Sequence, residues 1–278
     1  MTRLSIAQLK ISLKQSGYSL VELMVSLTIG LLLISGVVQV LCSNLVAYSS
    51  VNSQSHIGQN GRVSLDLVSQ FFRQAGYWDD VTFQKYFASG VGFGSDAFVV
   101  GQNDDATDAG VIDGTDFISV RFNGAKDSEM VLCNGDSLLD TQAAVQRFYV
   151  RPAVNAEQLP ALFCDITTYD FEKGTGVMSN PTATESVILI DGVQNLQILY
   201  GIGADDQLQT VTASAVTDWS RIKSVTVGLQ VSAGETVKGP PRIAPYQVLD
   251  KTVYPIPNGP MMQVFTQTIT LRNSSRGV

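Results

Sequence analysis

The stretch from Tyr18 to Leu41 reads YSLVELMVSLTIGLLLISGVVQVL, and it decides the fold of this 278-residue chain. Between Leu23 and Leu41 the only strongly polar side chain is Gln39. A helix needs about 20 consecutive apolar residues to cross a bilayer, and this stretch supplies them. The sequence therefore predicts a membrane-spanning helix near the N-terminus.

The charges that flank this stretch predict its orientation. Residues 1–17 contain three basic residues and no acidic one, and the next basic residue after the apolar stretch is Arg62. Because basic residues are retained on the cytoplasmic side of a membrane, we expect the N-terminus inside and everything after about residue 45 outside.

Two residues separate this segment from a cleavable secretory signal or a plain membrane anchor. Gly17 lies at the boundary between the basic leader and the apolar run, and Glu22 lies inside the run. An unpaired carboxylate in a membrane is costly, so it suggests a function. If the chain were cut after Gly17, Tyr18 would carry a free amino group. The terminal ammonium of a neighbouring subunit would then be a suitable partner for Glu22.

The run Gly17-Tyr18-Ser19-Leu20-Val21-Glu22-Leu23-Met24-Val25 resembles the signal of type IV pilins and pseudopilins. In that family a prepilin peptidase cuts after the glycine and methylates the new N-terminal residue. The resemblance implies cleavage between Gly17 and Tyr18, N-methylation of Tyr18 and a role for Glu22 in subunit pairing. Tyr18 departs mildly from the usual phenylalanine but keeps an aromatic ring. Removal of residues 1–17 changes the net charge from −7 to −10.

The helix is predicted to continue beyond the membrane, over residues 18–76 in total, with residues 18–41 in the membrane. Residues 42–75 contain no proline, and Val63, Leu67, Val68, Phe71 and Phe72 follow a helical spacing. Gly58 and Gly61 weaken this helix, so a melted or bent stretch over residues 52–61 is an alternative to a continuous helix. Gly76 is a suitable end.

Residues 77–278 are predicted to form an antiparallel β-rich head, because short alternating apolar runs are separated by turn residues. No alternation of strands with crossover helices is visible, which argues against a parallel-sheet enzyme fold. The head is large for one sheet, so two sub-sheets or one sheet with an insertion are expected. Residues 239–260 hold six of the nine prolines and predict weak strands at best. The predicted strands cover residues 98–100, 117–122, 145–150, 186–190, 196–201, 221–232, 246–249 and 264–272.

Three later segments resemble the PilW family of minor pilins. They are Ala75-Gly76-Tyr77, the run SVILIDGVQNLQILYG at residues 186–201, and the closing run FTQTITLRN at residues 265–273. The J pseudopilin of type II secretion has a similar ending and is the nearest alternative. The resemblance implies an α+β type IV pilin fold, in which a long N-terminal helix carries the head.

Three cysteines are present, and two of them lie in the predicted periplasmic part. A disulfide between Cys133 and Cys164 is predicted, because that compartment is oxidising; two buried free thiols are the alternative. Cys42, at the outer end of the membrane helix, is expected to be unpaired and buried.

No catalytic site is predicted, since one histidine and three cysteines offer no recognisable Cys/His or Ser/His arrangement. His56 is expected at a surface or an interface, and the glycine-rich residues 90–94 in a loop. Trp78 and Trp219 fit the core or an interface. No cofactor or metal is predicted. A loop with Asp104, Asp105, Asp108, Asp113 and Asp116 could hold Ca²⁺, but it lacks EF-hand spacing and suits a solvated loop better.

The expected function is that of a minor pilin that primes type IV pilus assembly in a minor-pilin complex at the tip. The implied partners are other minor pilins, the major pilin, the prepilin peptidase, the assembly platform and, before assembly, inner-membrane lipid. Nucleic acid is an unlikely partner, because 18 basic face 25 acidic residues. The alternatives are a J-like pseudopilin and a tip adhesin or DNA-uptake pilin, which would need a basic or aromatic patch on the head. An anchored periplasmic enzyme would need a catalytic constellation that the sequence does not show.

Overall fold

The computed structural model describes residues 17–77, 97–105, 111–125, 130–152, 159–170, 183–204, 207–234, 244–255 and 259–273. The chain separates into two compact units, residues 1–49 and 50–278. The predicted loop at residues 90–94, together with Trp78, Asp108 and the leader up to residue 16, lies outside the described residues.

A single helix, α1, runs from Leu20 to Gln74. It is unbroken at Gly58 and Gly61, so the melted or bent stretch that their sequence left open does not form. In the first unit every residue from Tyr18 to Ile29 is exposed. The helix α1 as a whole contains a stretch that is long and apolar enough to cross a membrane. The helix ends where Gly76 adopts a φ of 73°, a conformation that favours glycine.

The described part of the second unit contains thirteen strands and two short 3-10 helices, at Ala213–Ala215 and Trp219–Arg221. The strands are β1 Val99–Asp105, β2 Thr115–Asn123, β3 Met130–Val131, β4 Ser137–Leu138, β5 Gln142–Arg151, β6 Ala161–Asp170, β7 Ala183–Asp191, β8 Val193–Ala204, β9 Gln207–Thr212, β10 Ile222–Ser232, β11 Tyr246–Val248, β12 Lys251–Val253 and β13 Met262–Thr270.

These strands build two larger antiparallel sheets. The first has the order β1-β2-β5-β6-β7 and the second the order β13-β10-β8-β9. Two short hairpins, β3–β4 and β11–β12, complete the described strands. The prediction of an antiparallel head is therefore confirmed, and of the two expected arrangements the described strands form two sub-sheets. Strands β6 and β9 were not predicted, since the polar residues of ALFCDITTYD and QLQTVT obscure the apolar alternation.

The chain passes from the first sheet to the second at Gly192, between β7 and β8. Gly192 has a φ of 85°, and a Cβ there would lie 2.6 Å from the carbonyl oxygen of Ser232. Its own amide donates to the carbonyl of Pro160 at 2.8 Å, and its carbonyl accepts from Ser232 N at 2.8 Å. A side chain would both strain the backbone and break this junction, so the sharp change of sheet requires glycine.

The core of the second unit lies between the sheets and one face of α1. Phe71 and Phe72 of the helix pack on Phe148 of β5, with ring centroids 5.8 Å and 5.3 Å apart. The inner side chains of β10, including Val225, Val227, Leu229 and Val231, are fully buried in the same cluster. Burying a large apolar side chain stabilises a fold by about 1.5–3 kcal/mol. The free energy gained from this packing offsets the weakening of the helix by Gly58 and Gly61.

Candidate assembly site

The predicted processing site lies at the very start of the helix. Residues 17–19 are non-helical and exposed, and Tyr18 keeps 84% of its surface accessible. The first helical bond of this segment runs from the amide of Leu23 to the carbonyl of Ser19 at 3.1 Å. The Gly17–Tyr18 peptide thus lies in exposed, non-helical chain just before the helix, where a peptidase can reach it.

Glu22 lies in the first turn of α1, where unpaired backbone amides favour a carboxylate. The apolar side chains around it are exposed on all sides of the helix; examples are Leu20, Val21, Leu23 and Met24. A helix that is apolar all round needs lipid or other helices as its surroundings. Cys42 is free and also exposed in the described chain, whereas the sequence favoured a buried position.

The second half of α1 is held by the head along one buried stripe. Ser53, Ile57, Gly61, Ser64 and Val68 succeed each other at spacings of three and four residues and are all buried. His56, between them in sequence, lies on the exposed side as predicted for a surface residue. The helix is therefore amphipathic here, in contrast to its N-terminal half.

Gly61 allows the helix to approach β13 closely. A Cβ at Gly61 would collide with the ring of Phe265, whereas a Cβ at Gly58 would meet no atom within 4 Å. Asn273, shortly after β13, also holds the end of the helix, because its Nδ2 donates to the carbonyl of Ala75 at 3.1 Å. The closing run of residues 265–273 thus packs against the second half of α1, and we call this run the seat of the helix. The sequence shows only a family resemblance for this run and not its contact with the helix, because the contacting residues lie about 200 positions apart in the chain.

This contrast between the two glycines is testable. Gly58→Ala should stabilise the full chain in detergent by about 0.5–1 kcal/mol, because alanine favours the helix and the added methyl meets open space. Gly61→Ala should destabilise it by about 1–2 kcal/mol, because overpacking against Phe265 outweighs the same gain. Chemical denaturation followed by circular dichroism measures both. If both variants shift stability equally, the close approach of α1 to β13 is wrong.

The predicted disulfide between Cys133 and Cys164 is present, with the two Cα atoms 6.5 Å apart. It ties the turn between β3 and β4 to β6, and Asn134 Nδ2 beside it donates to Glu185 of β7 at 2.9 Å. Cys164 lies inside β6. In the chain-entropy account, closing a loop of 31 residues stabilises by about 3–4 kcal/mol.

Asp116 corrects the expectation that the acidic stretch is a solvated loop. Its residue is 1% exposed, and it lies in β2 between the two sheets. Its Oδ1 accepts from Asp104 N of β1 at 2.9 Å, and its Oδ2 accepts from Ile198 N of β8 at 2.7 Å. Ile198 lies just before the part of β8 that pairs with β9. The carboxyl group of Asp116 therefore accepts a backbone hydrogen bond of the kind that a neighbouring strand would accept from β8. In this way it joins the two sheets.

The surroundings of Asp116 alter its acidity. Burial raises the pKa of Asp116 from 3.8 to about 7, and nearby Asp250 and Asp104 add to the rise, although its two backbone hydrogen bonds oppose it. Asp104 itself pairs with Lys251 at 2.6 Å. In the described part of the chain, no group of three histidine, cysteine or acidic residues is placed to hold a metal.

Trp219 belongs to the core rather than to an open platform. Its ring lies edge-on to Tyr200, with centroids 4.9 Å apart, and it is partly buried. This agrees with the predicted core or interface position.

Comparisons with known proteins match the two ends of this arrangement. The model of the prokaryotic N-terminal methylation motif matches residues 12–38, around Gly17, Tyr18 and Glu22. The model of the PilW family, type IV pilus-assembly protein W, matches residues 147–273, which include the seat of the helix. No curated protein matches the sequence. Among solved structures, a type IV-like pilin from Thermus thermophilus is similar at 12% identity, covering 79% of this chain and 97% of its own, with a TM-score of 0.44.

An exposed apolar helix that begins at a methylation motif and is seated in an antiparallel head defines a pilin. The family matches support a PilW-type minor pilin with a role in pilus assembly, and they confirm the resemblance drawn from the sequence. The family match implies interaction with other pilins, and the methylation motif with its apolar helix suggests membrane anchoring and a place in the pilus.

Proposed function

We propose that this protein primes type IV pilus assembly as part of a minor-pilin complex at the pilus tip. The observation that carries the proposal is Glu22 in the first turn of a helix whose membrane-length part is exposed on every side. Such a helix passes from lipid into a bundle of other pilin helices without exposing its apolar surface to water.

The proposed pathway begins in the inner membrane, with the N-terminus in the cytoplasm and the head in the periplasm. A prepilin peptidase cuts after Gly17 and methylates Tyr18. The assembly platform then moves the mature chain into the growing fibre, where it contacts other minor pilins and the major pilin. Exposure of residues 17–19 supports access to the cleavage site. The chain itself serves as a structural subunit rather than an enzyme, because its sequence holds no recognisable catalytic arrangement.

Mass spectrometry of the mature N-terminus tests the first step. In a host with its prepilin peptidase, the chain should begin at N-methylated Tyr18, because the Gly17–Tyr18 peptide is exposed and lies outside the helix. Without the enzyme, the same chain should begin at Met1. A matched variant, Ser19→Ala, leaves the cleaved bond unaltered and should be processed normally. An uncut chain in both hosts, or a cut after residue 35, contradicts the proposal.

Deletion of the protein tests the priming step. Piliation should fall by at least about tenfold in its absence while the amount of major pilin in the membrane stays unchanged, as expected for a component that lowers a nucleation barrier. Normal piliation in the deletion strain would show that the chain does not prime assembly.

A further inference from the structure

A row of large side chains crosses the outer face of the first sheet. Tyr149 of β5 lies opposite Phe163 of β6, and Phe163 lies opposite Ile188 of β7. The rings of Tyr149 and Phe163 stack with centroids 6.0 Å apart. Arg151 lies over both of these rings, at 4.8 Å from Phe163 and 5.6 Å from Tyr149. We refer to Tyr149, Phe163 and Ile188 as the outer row.

The outer row becomes more exposed toward the edge of the sheet. Tyr149 is 2% exposed, Phe163 is partly exposed and Ile188 is 56% exposed. Among the described residues, β6 is the strand that pairs with β7, and no strand lies along its other edge. Thr184, Glu185 and Ser186, which precede Ile188 on β7, are exposed as well. The outer row therefore stops at an open edge with its last apolar member in contact with solvent.

The other edge of this sheet differs from β7. Strand β1 is in contact with the two short 3-10 helices. An open strand with exposed apolar residues readily pairs with another chain, and proteins usually protect such an edge with proline, lysine or a covering segment. Strand β7 contains neither proline nor lysine. Its backbone groups and Ile188 are thus suited to strand addition.

We propose that β7 is a docking edge that accepts an extended strand from a different pilin. The docked strand places an apolar side chain beside Ile188, which continues the outer row, and basic side chains opposite Glu185 and Asp191. This inference rests on the proposed function, because it names a contact through which the minor pilins of one complex recognise each other.

Charge argues against a second copy of this chain as the occupant. Two β7 strands paired antiparallel about Ile188 would place Glu185 of each chain opposite Asp191 of the other. Like charges directly opposite each other destabilise a strand pair. The mature chain is also acidic as a whole, so two copies repel each other at longer range. A partner with basic residues at these two positions meets the complementary charge.

Photocrosslinking in the membrane tests this contact. The full chain carrying Ile188→benzoylphenylalanine is co-expressed with the other pilins of its host, and adducts are identified by mass spectrometry. We expect one adduct, with an apolar residue in an extended segment of another pilin. Leu208→benzoylphenylalanine is the matched control, because Leu208 is an equally apolar and 49% exposed residue on the edge strand β9 of the other sheet. The yield at position 188 should exceed that at position 208 by about tenfold.

A charge substitution provides the second measurement. Ile188→Lys should lower co-purification of the crosslinked pilin by about tenfold, whereas Leu208→Lys should leave it unchanged. Equal thermal unfolding of the two lysine variants shows that the fold is retained. No adduct at position 188, equal adducts at both positions, or an adduct with a second copy overturns the proposal. If deletion of the chain abolishes piliation while position 188 forms no adduct, only the docking edge is wrong; if piliation survives deletion, the priming function is wrong.

Discussion

Replacement of Glu22 by glutamine should reduce incorporation of this protein into pili by at least about tenfold, while cleavage after Gly17 remains normal. In lipid, an unpaired carboxylate costs several kcal/mol. We propose that, in the assembled helix bundle, the terminal ammonium of a neighbour removes that cost. The pair therefore favours the assembled state over the membrane state, and glutamine removes this difference. A change of 1.4 kcal/mol already corresponds to a factor of ten.

The measurement compares the amount of protein in sheared pili with the amount in the membrane, by immunoblot. Ser26→Ala is the matched control, since the Ser26 hydroxyl lies on the same helix and donates to the carbonyl of Leu23 within that helix at 3.0 Å. It requires no neighbour, so its removal should leave incorporation unchanged. If Glu22→Gln assembles as well as Ser26→Ala, charge pairing at Glu22 does not contribute to assembly.

The second large effect is a loss of stability as the pH rises. The folded-state pKa of Asp116 is raised to about 7 by burial, whereas its ordinary value is 3.8. The folded chain then binds more protons than the unfolded chain between these values, so the contribution of this group is fully present below about pH 4 and is lost as the pH rises through 7. The difference of about 3 pKa units corresponds to about 4 kcal/mol at most.

Denaturation of the full chain in detergent at several pH values, followed by tryptophan fluorescence, measures this contribution. Asp116→Asn cannot titrate, so the fall in its free energy of unfolding between pH 4 and pH 8 should be smaller than that of the unaltered chain by up to about 4 kcal/mol. Asp113→Asn removes an exposed carboxylate nearby and should preserve the full fall. An equal pH dependence in both variants would show that Asp116 does not titrate in this range.

Local patterns in the sequence were sufficient to predict the helix and most of the strands. The membrane half of α1 is visible because its apolar residues are contiguous, and β10 is visible because its alternation is regular. Strand β6 was missed because Asp165, Thr167 and Thr168 interrupt its pattern, although it is a central strand paired on both sides. Pairing with two neighbours compensates for its weak local preference. The unbroken helix at Gly58 and Gly61 has the same origin, since packing outweighs propensity.

Residues 1–41 by themselves determined the class of protein, because the basic leader, Gly17, Tyr18, Glu22 and the apolar run act through local composition and spacing. Cys133 and Cys164 were also paired correctly, since both lie in the part that the sequence places in an oxidising compartment. Tertiary structure alone decided where Gly61 meets Phe265, how Asp116 joins the two sheets and that, among the described strands, β7 lies at an edge of its sheet. Each of these depends on contacts between residues far apart in the chain, whose geometry exists only after the sheets have paired and the helix has packed.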